Sequence, residues 1–165
     1  MVVSVFQITV SLAKRLFPLK YQDVIEESAI EYGLETDLVL GVIYAESGFK
    51  ENASSGKAHG LMQISQSTGE WILNKMGEEY LPEKLYQPEI NIRMGCFYLS
   101  YLIDHYKNIE TALAAYNAGM GNVSSWLEDK KYSKDGITLT EIPYSETAKY
   151  VRRVRSLRKI YKILY

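Results

Sequence analysis

A chain of 165 residues is long enough for one domain with a single core. Apolar residues make up 47% of it, too many for a disordered chain, and the net charge of −1 gives no overall attraction to nucleic acid. The single cysteine, Cys96, excludes an intramolecular disulfide and a zinc site built on several thiolates. It leaves the cellular compartment open.

Residues 1–13, MVVSVFQITVSLA, carry no charge and are mostly apolar, and Lys14 and Arg15 follow them. A membrane-spanning helix needs about 20 apolar residues and a signal peptide begins with a basic region, so the segment fits neither pattern. Two interpretations stay open for residues 1–20. They form a first helix or strand that packs on the domain, or they are the remnant of an export signal or membrane anchor. Residues 21–165 are predicted to form the domain itself.

Apolar residues at helical spacing predict two helices after this segment. The first covers residues 23–32 and ends at Gly33, and the second begins near Thr36 or Asp37, either of which can cap it. The body of the second helix, LVLGVIYAES, is apolar almost all round, which is typical of a buried helix. Gly48 follows as its stop signal.

The rest of the chain is also predicted to be mostly helical. Further helices are expected over 66–76, over 89–106 after Pro88, over 110–119, over 121–128 and, as an amphipathic final helix, from Ser145 onward. Residues 129–141 are expected to form an exposed excursion with a turn at Asp135-Gly136, and ITLT at 137–140 is the candidate strand. The predicted fold is therefore mainly α, a compact single helical domain with at most a small β element.

Glu46 stands in the last turn of the predicted buried helix. Burial disfavours a carboxylate, and the negative end of the helix dipole opposes an anion, so both effects raise the pKa of this side chain. A carboxylic acid that keeps its proton near neutral pH can serve as a general acid. A surface glutamate at a fraying helix end is the alternative that the local sequence leaves open.

Four short motifs occur in order from this acid onward. They are Glu46-Ser47-Gly48-Phe49, Gly60-Leu61-Met62-Gln63-Ile64, Ala115-Tyr116-Asn117-Ala118-Gly119, and Ile142-Pro143-Tyr144 with Glu146-Thr147 and Tyr150-Val151 behind it. A weaker motif, Pro88-Glu89-Ile90-Asn91-Ile92, lies between the second and the third. With these motifs the chain resembles the lytic transglycosylases of the goose-lysozyme-like branch of the lysozyme superfamily, and the resemblance runs from Tyr21 to Val154.

The resemblance implies an α+β lysozyme-like fold and a defined reaction. Such enzymes cleave the β-1,4 bond between N-acetylmuramic acid (MurNAc) and N-acetylglucosamine (GlcNAc) in peptidoglycan. The 6-hydroxyl of MurNAc attacks in place of water and leaves a 1,6-anhydro ring. Glu46 is expected to protonate the glycosidic oxygen first and then, as a carboxylate, to take the proton of the 6-hydroxyl.

The expected mechanism also addresses the number of acids that the site needs. Most glycosidases use two carboxylates, one as an acid and one as a nucleophile or base. Because the acceptor hydroxyl is here part of the substrate, one carboxylate can act in both steps. Glu51 and Glu70 are the nearest acids in sequence, but neither lies in a matching motif, and both are interpreted as solvated surface residues.

The first two motifs imply a set of residues that contact the saccharide. Ser47 is expected to form a hydrogen bond with Glu46 or with the sugar. Gly60 is expected to let the backbone approach the saccharide, since it has no side chain. Met62 and Gln63 are expected to line the cleft, with Gln63 donating a hydrogen bond to the sugar. Core packing is the alternative for Met62.

The later motifs imply further contacts from other helices. Tyr116 and Asn117 are expected to reach into the cleft, and Tyr144 to flank the sugar. Glu146 is expected at the start of the last helix, where a carboxylate suits the dipole, and capping alone explains it nearly as well. The further tyrosine candidates are Tyr44 and Tyr150.

The chain departs from the family pattern in the loop before Gly60. The family loop carries a serine and then Gly-Ala before one variable residue. This chain has Ser54-Ser55-Gly56-Lys57-Ala58-His59, one residue shorter and with the glycine displaced. Ser54 is taken as the substrate-binding serine, and Ser55 stays the alternative. Gln87 stands where family members often have Asp, which is expected to alter only a helix start.

Two other functions stay open at this point. A muramidase of similar fold would use water and would require a second carboxylate near Glu46. A non-catalytic peptidoglycan-binding module would keep the fold, but it would have no need for the Glu46-Ser47 pair. The basic residues of the last helix are interpreted as a solvated face, with attraction to anionic wall polymers or lipid headgroups as the alternative.

The remaining expectations concern partners and location. Cys96, His59 and His105 do not form a ligand set, so no metal and no cofactor is expected. The expected partners are the glycan strands of peptidoglycan and not nucleic acid, and the expected state is a monomer. The expected location is extracytoplasmic, in the bacterial cell envelope, and membrane association through the N-terminus stays one of the two interpretations of residues 1–20.

Overall fold

The computed structural model describes residues 2–165, and within the first helix it describes the side chains of Gln7 and of Val10 onward. The α-helices are α1 (Val2–Leu16), α2 (Gln22–Glu31), α3 (Thr36–Ser47), α4 (Gln66–Met76), α5 (Pro88–Tyr106), α6 (Ile109–Ala118), α7 (Met120–Glu128) and α8 (Ser145–Leu164). A 3-10 helix (Pro82–Tyr86) precedes α5. Strand β1 (Ala58–His59) pairs antiparallel with β2 (Ile64–Ser65). The prediction of a mainly helical domain with a small β element is confirmed.

Two local predictions need correction. Helix α3 begins at Thr36, and its N-cap residue is Glu35 rather than Thr36 or Asp37. Residues 137–140 form no strand, and Leu139 makes only an isolated bridge with Ser133. The cause is Asp135, whose carboxylate accepts the backbone N–H of Ile137 at 2.9 Å and that of Thr138 at 2.7 Å. Those N–H groups are the ones that a strand would pair with a neighbour.

Residues 2–16 form α1, and the chain at the end of this helix contacts the domain. Two buried or half-buried tyrosine hydroxyls hold this connection: that of Tyr44 donates to the carbonyl of Leu16 at 2.9 Å, and that of Tyr161 to the carbonyl of Pro18 at 3.1 Å. Met1 lies outside the described residues. Among the helices that the structure describes, none is both long enough and apolar enough to cross a membrane.

The packing of α3 against α8 organises the core around the end of α3. The middle of α3, Leu38–Ile43, is buried, and α8 packs along it. Gly41 permits this close approach, because a Cβ there would lie 3.1 Å from the backbone nitrogen of Arg158 and 3.2 Å from the carbonyl oxygen of Val154. Arg158 also pairs with Asp37 and with Glu35 at the start of α3. The two helices therefore hold a fixed register, which determines what faces Glu46.

Candidate active site

Glu46 lies in the last turn of α3, and its carboxyl group is mostly withdrawn from water. Burial raises the pKa of Glu46 to about 7, and the neighbouring Tyr150 hydroxyl and the positive charge of Arg153 oppose the rise. The predicted rise in pKa is confirmed, with burial as its largest cause. Near neutral pH both the protonated and the ionised form of this acid are therefore available.

Two tyrosines stand against the Glu46 carboxyl group, the half-buried Tyr116 and the buried Tyr150. Burial, followed by the charge of Glu46, raises the pKa of Tyr116 and of Tyr150 well above the usual value. The Tyr116 hydroxyl donates to the carbonyl of Met62 at 2.8 Å. The Tyr150 hydroxyl faces Glu46 but falls short of regular hydrogen-bond geometry, and it has no full partner among the described residues. We call Glu46, Met62, Tyr116 and Tyr150 the inner wall.

The Gly60–Gln63 turn completes the inner wall, and Asn91 holds this turn in place. Asn91 is fully buried, yet all of its described contacts are hydrogen bonds to backbone. Its side-chain oxygen accepts the N–H of Met62 at 2.8 Å, and its amide nitrogen donates to the carbonyls of His59 and Leu85 at 3.0 and 2.7 Å. Asn91 belongs to the weaker fifth motif, but sequence reasoning gave it no role. Its signal is a polar residue on the buried face of a predicted helix.

The side chains of this turn face protein more than the sequence suggested. A Cβ at Gly60 would lie 2.3 Å from the carbonyl oxygen of Leu85 and 2.4 Å from the amide nitrogen of Asn91. Gly60 also has a φ of 78°, which glycine adopts without strain. Packing against Asn91 therefore requires the missing side chain. The contact of the Gly60 backbone with a saccharide stays a prediction.

The Met62 and Gln63 side chains also contact protein. Met62 is fully buried, and its side chain fills the space beside Gly95, where a Cβ would lie 2.2 Å from the Met62 sulfur. The Met62 side chain therefore packs in the core, which is the alternative that the sequence left open. The Gln63 amide nitrogen donates to the carbonyls of Ala53 and Gly60 at 3.1 and 3.0 Å, so its donors are used within the loop. The side-chain oxygen of Gln63 is the group that remains for a ligand.

The serine candidates occupy different settings. The Ser47 hydroxyl donates to the carbonyl of Ile43 at 3.1 Å and accepts the N–H of Phe49 at 3.2 Å, so it closes the end of α3 and is not bonded to Glu46. The exposed Ser54 hydroxyl lies 3.1 Å from Nδ1 of His59, a nitrogen that the Tyr86 hydroxyl also contacts at 2.8 Å. The Ser55 hydroxyl accepts the N–H of Ala58 at 3.3 Å within the same loop. Which serine meets a substrate stays a prediction.

Asn117, Tyr144 and Glu146 lie together, and we call them the outer rim. With Pro143 and Thr147 among its other lining residues, the rim encloses a cavity of about 540 Å³. All three side chains are exposed, Tyr144 to 50%. The Thr147 hydroxyl donates to Asn117 at 2.8 Å, and the Tyr144 ring stands edge-on to Trp126 with centroids 4.9 Å apart.

Of the two further tyrosine candidates, Tyr150 lies at the site and Tyr44 does not. The Tyr44 ring packs with Phe17, Phe49 and Tyr161. Arg153 acts on Glu46 as well, and sequence reasoning missed it. Its signal is spacing: three residues beyond Tyr150, it lies one turn along the same side of α8.

No other carboxylate shifts the pKa of Glu46 in the part of the chain that the structure describes. The pKa of Glu46 responds to burial, Tyr150 and Arg153, and to no other acid. Glu51 is exposed and accepts a hydrogen bond from the Tyr21 hydroxyl at 2.7 Å, and Glu70 is exposed on α4. Among residues 2–165, no three His, Cys, Asp or Glu side chains come together as metal ligands.

Comparisons with known proteins identify the family of this chain. The family model described as "Transglycosylase SLT domain" matches residues 23–138. A soluble lytic murein transglycosylase of Salmonella typhimurium is 32% identical, over 88% of this chain and 23% of the relative. A membrane-bound lytic murein transglycosylase C of Yersinia pestis is 33% identical, over 87% of this chain and 47% of the relative.

A solved structure is similar over most of the chain as well. The 70-kDa soluble lytic transglycosylase of Escherichia coli superposes with a TM-score of 0.80 at 28% identity, over 92% of this chain and 25% of that one. This superposition confirms the expected lysozyme-like fold. The chain spans between about a quarter and about half of the length of these relatives.

Proposed function

Because the chain belongs to the transglycosylase SLT domain family, we propose that it is a peptidoglycan lytic transglycosylase. It cleaves the β-1,4 bond between MurNAc and GlcNAc and leaves 1,6-anhydro-MurNAc. The observation that carries this proposal is one acid, Glu46, with a pKa of about 7 and no second carboxylate acting on it among the described residues. Two relatives are named as lytic murein transglycosylases, which supports the same substrate.

In the proposed first step Glu46 acts as a general acid. Its carboxyl proton passes to the glycosidic oxygen as the bond between that oxygen and C1 of MurNAc breaks. GlcNAc leaves with a hydroxyl group, and positive charge develops on the MurNAc ring. Burial keeps the proton on Glu46 up to near-neutral pH, so the acid form is available for this step.

In the proposed second step the same residue acts as a base. The 6-hydroxyl of MurNAc attacks C1, and the Glu46 carboxylate takes the hydroxyl proton, which restores the acid. Tyr150 and Arg153 both favour the ionised form of Glu46, so they stabilise the carboxylate between the steps. Burial and these two neighbours act in opposite directions, and a pKa near 7 serves both roles.

The outer rim and the loop are proposed to hold the glycan strand. Asn117, Tyr144 and Glu146 offer exposed amide, aromatic and carboxylate groups around one cavity. An aromatic ring with an apolar face and a polar edge suits a sugar. Ser54 and the side-chain oxygen of Gln63 are proposed to bind from the loop. Ser47 is proposed to act by shaping the end of α3 that presents Glu46.

The proposed location is the cell envelope, where the substrate lies, and no cofactor is proposed. Peptidoglycan strands are the proposed partner, with no nucleic acid, and the proposed state is a monomer. One relative is named as soluble and another as membrane-bound, so membrane association through residues 1–20 is part of the proposal.

The deciding experiment is digestion of purified peptidoglycan followed by mass spectrometry of the muropeptides. The expected products end in 1,6-anhydro-MurNAc and are one water lighter than hydrolysis products. Reducing MurNAc ends alone would contradict the proposal and indicate a water-using muramidase. Binding to peptidoglycan without any cleavage would indicate a non-catalytic module.

A further inference from the structure

Two helices of this molecule carry a large positive net charge, and the remaining residues carry a negative one. Helices α1 and α8 together carry nine basic residues and one acidic residue, a net charge of +8. The other residues carry ten basic and 19 acidic side chains, a net charge of −9. The overall charge of −1 therefore hides a strongly basic side, and a field of this size attracts anionic partners to that side.

Part of this basic charge has no acidic partner in the described structure. Arg155 pairs with Glu110, and Arg158 pairs with the start of α3. Lys149, Arg152 and Lys159 are exposed and form no ion pair with any described carboxylate. We call these three residues the basic stripe. At steps of three and seven residues they follow one outward side of α8, with Ser156 between them.

The basic stripe ends in exposed apolar surface. Ile163 continues the stripe and is 83% exposed. Of the ten large apolar side chains that are exposed in the described part of the chain, four lie at this end of the molecule, namely Leu12, Leu16, Ile163 and Tyr165. The ends of α1 and α8 meet here, because the Tyr165 hydroxyl donates to the carbonyl of Phe17 at 2.9 Å and the Lys14 ammonium lies 4.5 Å from the Tyr165 ring centroid.

We propose that the outward face of α8, together with the end of α1, docks on the surface of an anionic phospholipid bilayer. Lysines and arginines beside exposed leucine, isoleucine and tyrosine are the composition of a helix that lies in a membrane interface. The cations contact lipid phosphates, and the apolar side chains enter the headgroup region. A purely polyanionic wall polymer would leave these apolar side chains in water, so the bilayer is the better fit.

Docking in this orientation leaves the inner wall of the candidate active site uncovered. Glu46 faces Tyr150, which is buried on the inner side of α8, whereas the basic stripe faces outward. A bilayer against the stripe therefore covers no residue of the inner wall. The surface proposal stands apart from the catalytic one, because lipid binding is measured without cleavage.

The test is co-sedimentation of the full chain with vesicles. The probes are vesicles of phosphatidylglycerol and phosphatidylcholine in equal parts, and vesicles of phosphatidylcholine alone. Binding is expected to the anionic vesicles and to weaken as salt rises, because salt screens exposed charges. The triple variant Lys149→Gln, Arg152→Gln, Lys159→Gln is expected to bind about a hundredfold more weakly.

A matched control removes three exposed lysines elsewhere. The variant Lys130→Gln, Lys131→Gln, Lys134→Gln changes the net charge equally but lies in the 129–141 excursion, and it is expected to keep most of the binding. Ile163→Ser is expected to bind several-fold more weakly at every salt concentration, because it removes apolar contact. Unchanged circular dichroism and unchanged cleavage of soluble glycan strands are expected for all three variants.

Three outcomes would overturn the proposal. They are equal binding to both kinds of vesicle, equal loss of binding in the two triple variants, and binding to an isolated polyanionic wall polymer with none to anionic vesicles. The last result would assign the basic stripe to the wall. None of them bears on the products of peptidoglycan digestion, so failure here is distinguishable from failure of the proposed function.

Discussion

The inner wall and the outer rim adjoin along the chain, since Tyr116 belongs to one and Asn117 to the other, yet they solve different physical problems. In the inner wall, polar groups are withdrawn from water and act on one another, so the pKa of Glu46 is set by its protein neighbours. In the outer rim, side chains are exposed and surround open space. The difference supports the proposal that the inner wall carries the chemistry and that the outer rim binds the glycan strand.

The largest expected effect comes from replacing the acid of the inner wall, Glu46. Glu46→Gln keeps the shape of the side chain but cannot release or take a proton. Cleavage of peptidoglycan is expected to fall about a thousandfold, within the usual range for losing a general acid and base, while binding to glycan strands persists because the rim is untouched. Release of muropeptides and co-sedimentation with peptidoglycan measure the two effects.

Glu51→Gln is the matched control for this prediction. Glu51 is the nearest glutamate in sequence, but it is exposed and bonded to Tyr21, so near-parental cleavage is expected. Cleavage by Glu46→Gln at the parental rate would remove Glu46 from the mechanism. Loss of glycan binding in the same variant would show that the inner wall also binds the glycan strand, contrary to the proposed division of roles.

The next largest effect breaks the support of the inner wall. Asn91→Ala leaves the N–H of Met62 and the carbonyls of His59 and Leu85 without their partner in buried surroundings. Each buried unpaired group destabilises by about 1–3 kcal/mol, so the free energy of unfolding is expected to fall by about 3–4 kcal/mol. Urea unfolding measures it.

Asn74→Ala is the control for Asn91→Ala, because Asn74 is exposed on α4. Its effect on the free energy of unfolding is expected to stay within about 0.5 kcal/mol. Equal effects of the two substitutions would show that Asn91 does not hold the turn.

A third effect concerns the free energy of unfolding, which is lowered because Glu46 is buried in the inner wall. The pKa of Glu46 rises from 4.5 to about 7 on folding, so the folded state binds this proton more tightly than the unfolded state. Stability therefore falls as pH rises from about 4.5 to about 7. Glu46→Gln removes this dependence and is expected to exceed the parent in unfolding free energy at pH 8 by at most about 3 kcal/mol.

Urea unfolding of both proteins at pH 4 and pH 8 measures this difference. At pH 4 Glu46 of the parent is mostly neutral in both states, and the two proteins are expected to be similar. Glu70→Gln, at an exposed position, is expected to show no comparable gain at pH 8. A variant that is less stable than the parent at pH 8 would contradict the burial argument.

Much of the wall follows from sequence because its signal is local. The apolar run LVLGVIYAES predicts the buried helix α3, and the position of Glu46 at its end predicts the raised pKa. The partner of Glu46 is not local. Tyr44 and Tyr150 are both tyrosines next to apolar residues, and only the packing of α8 on α3 brings Tyr150 to the acid.

Motifs also do not show whether protein or ligand fills the space beside a residue. The motifs assign Gly60 to a saccharide contact and leave Met62 open between the cleft and the core. In the structure Asn91 fills the space beside Gly60, and the Met62 side chain fills the space beside Gly95, in another part of the chain. In the excursion at 129–141 a single side chain overrides the composition of the segment. ITLT has strand composition, yet one side chain, Asp135, takes up the backbone donors and determines the local structure.

The smallest expected effect tests the rim. Tyr144→Ala removes a ring that is half exposed and supported by Trp126. If the ring packs on the sugar outside the reacting bond, its loss weakens substrate and transition state alike. KM for glycan strands is expected to rise about tenfold, about 1.4 kcal/mol of binding, with kcat little changed.

Tyr144→Phe sharpens this last comparison, because it keeps the ring and removes a hydroxyl that lies 3.5 Å from Asn122. A contact at that distance contributes little, so this variant is expected to stay close to the parent in KM. A fall in kcat at constant KM in Tyr144→Ala would mean that the ring acts only in the transition state. Tyr144 would then take part in the chemistry and would belong with the inner wall rather than with the outer rim.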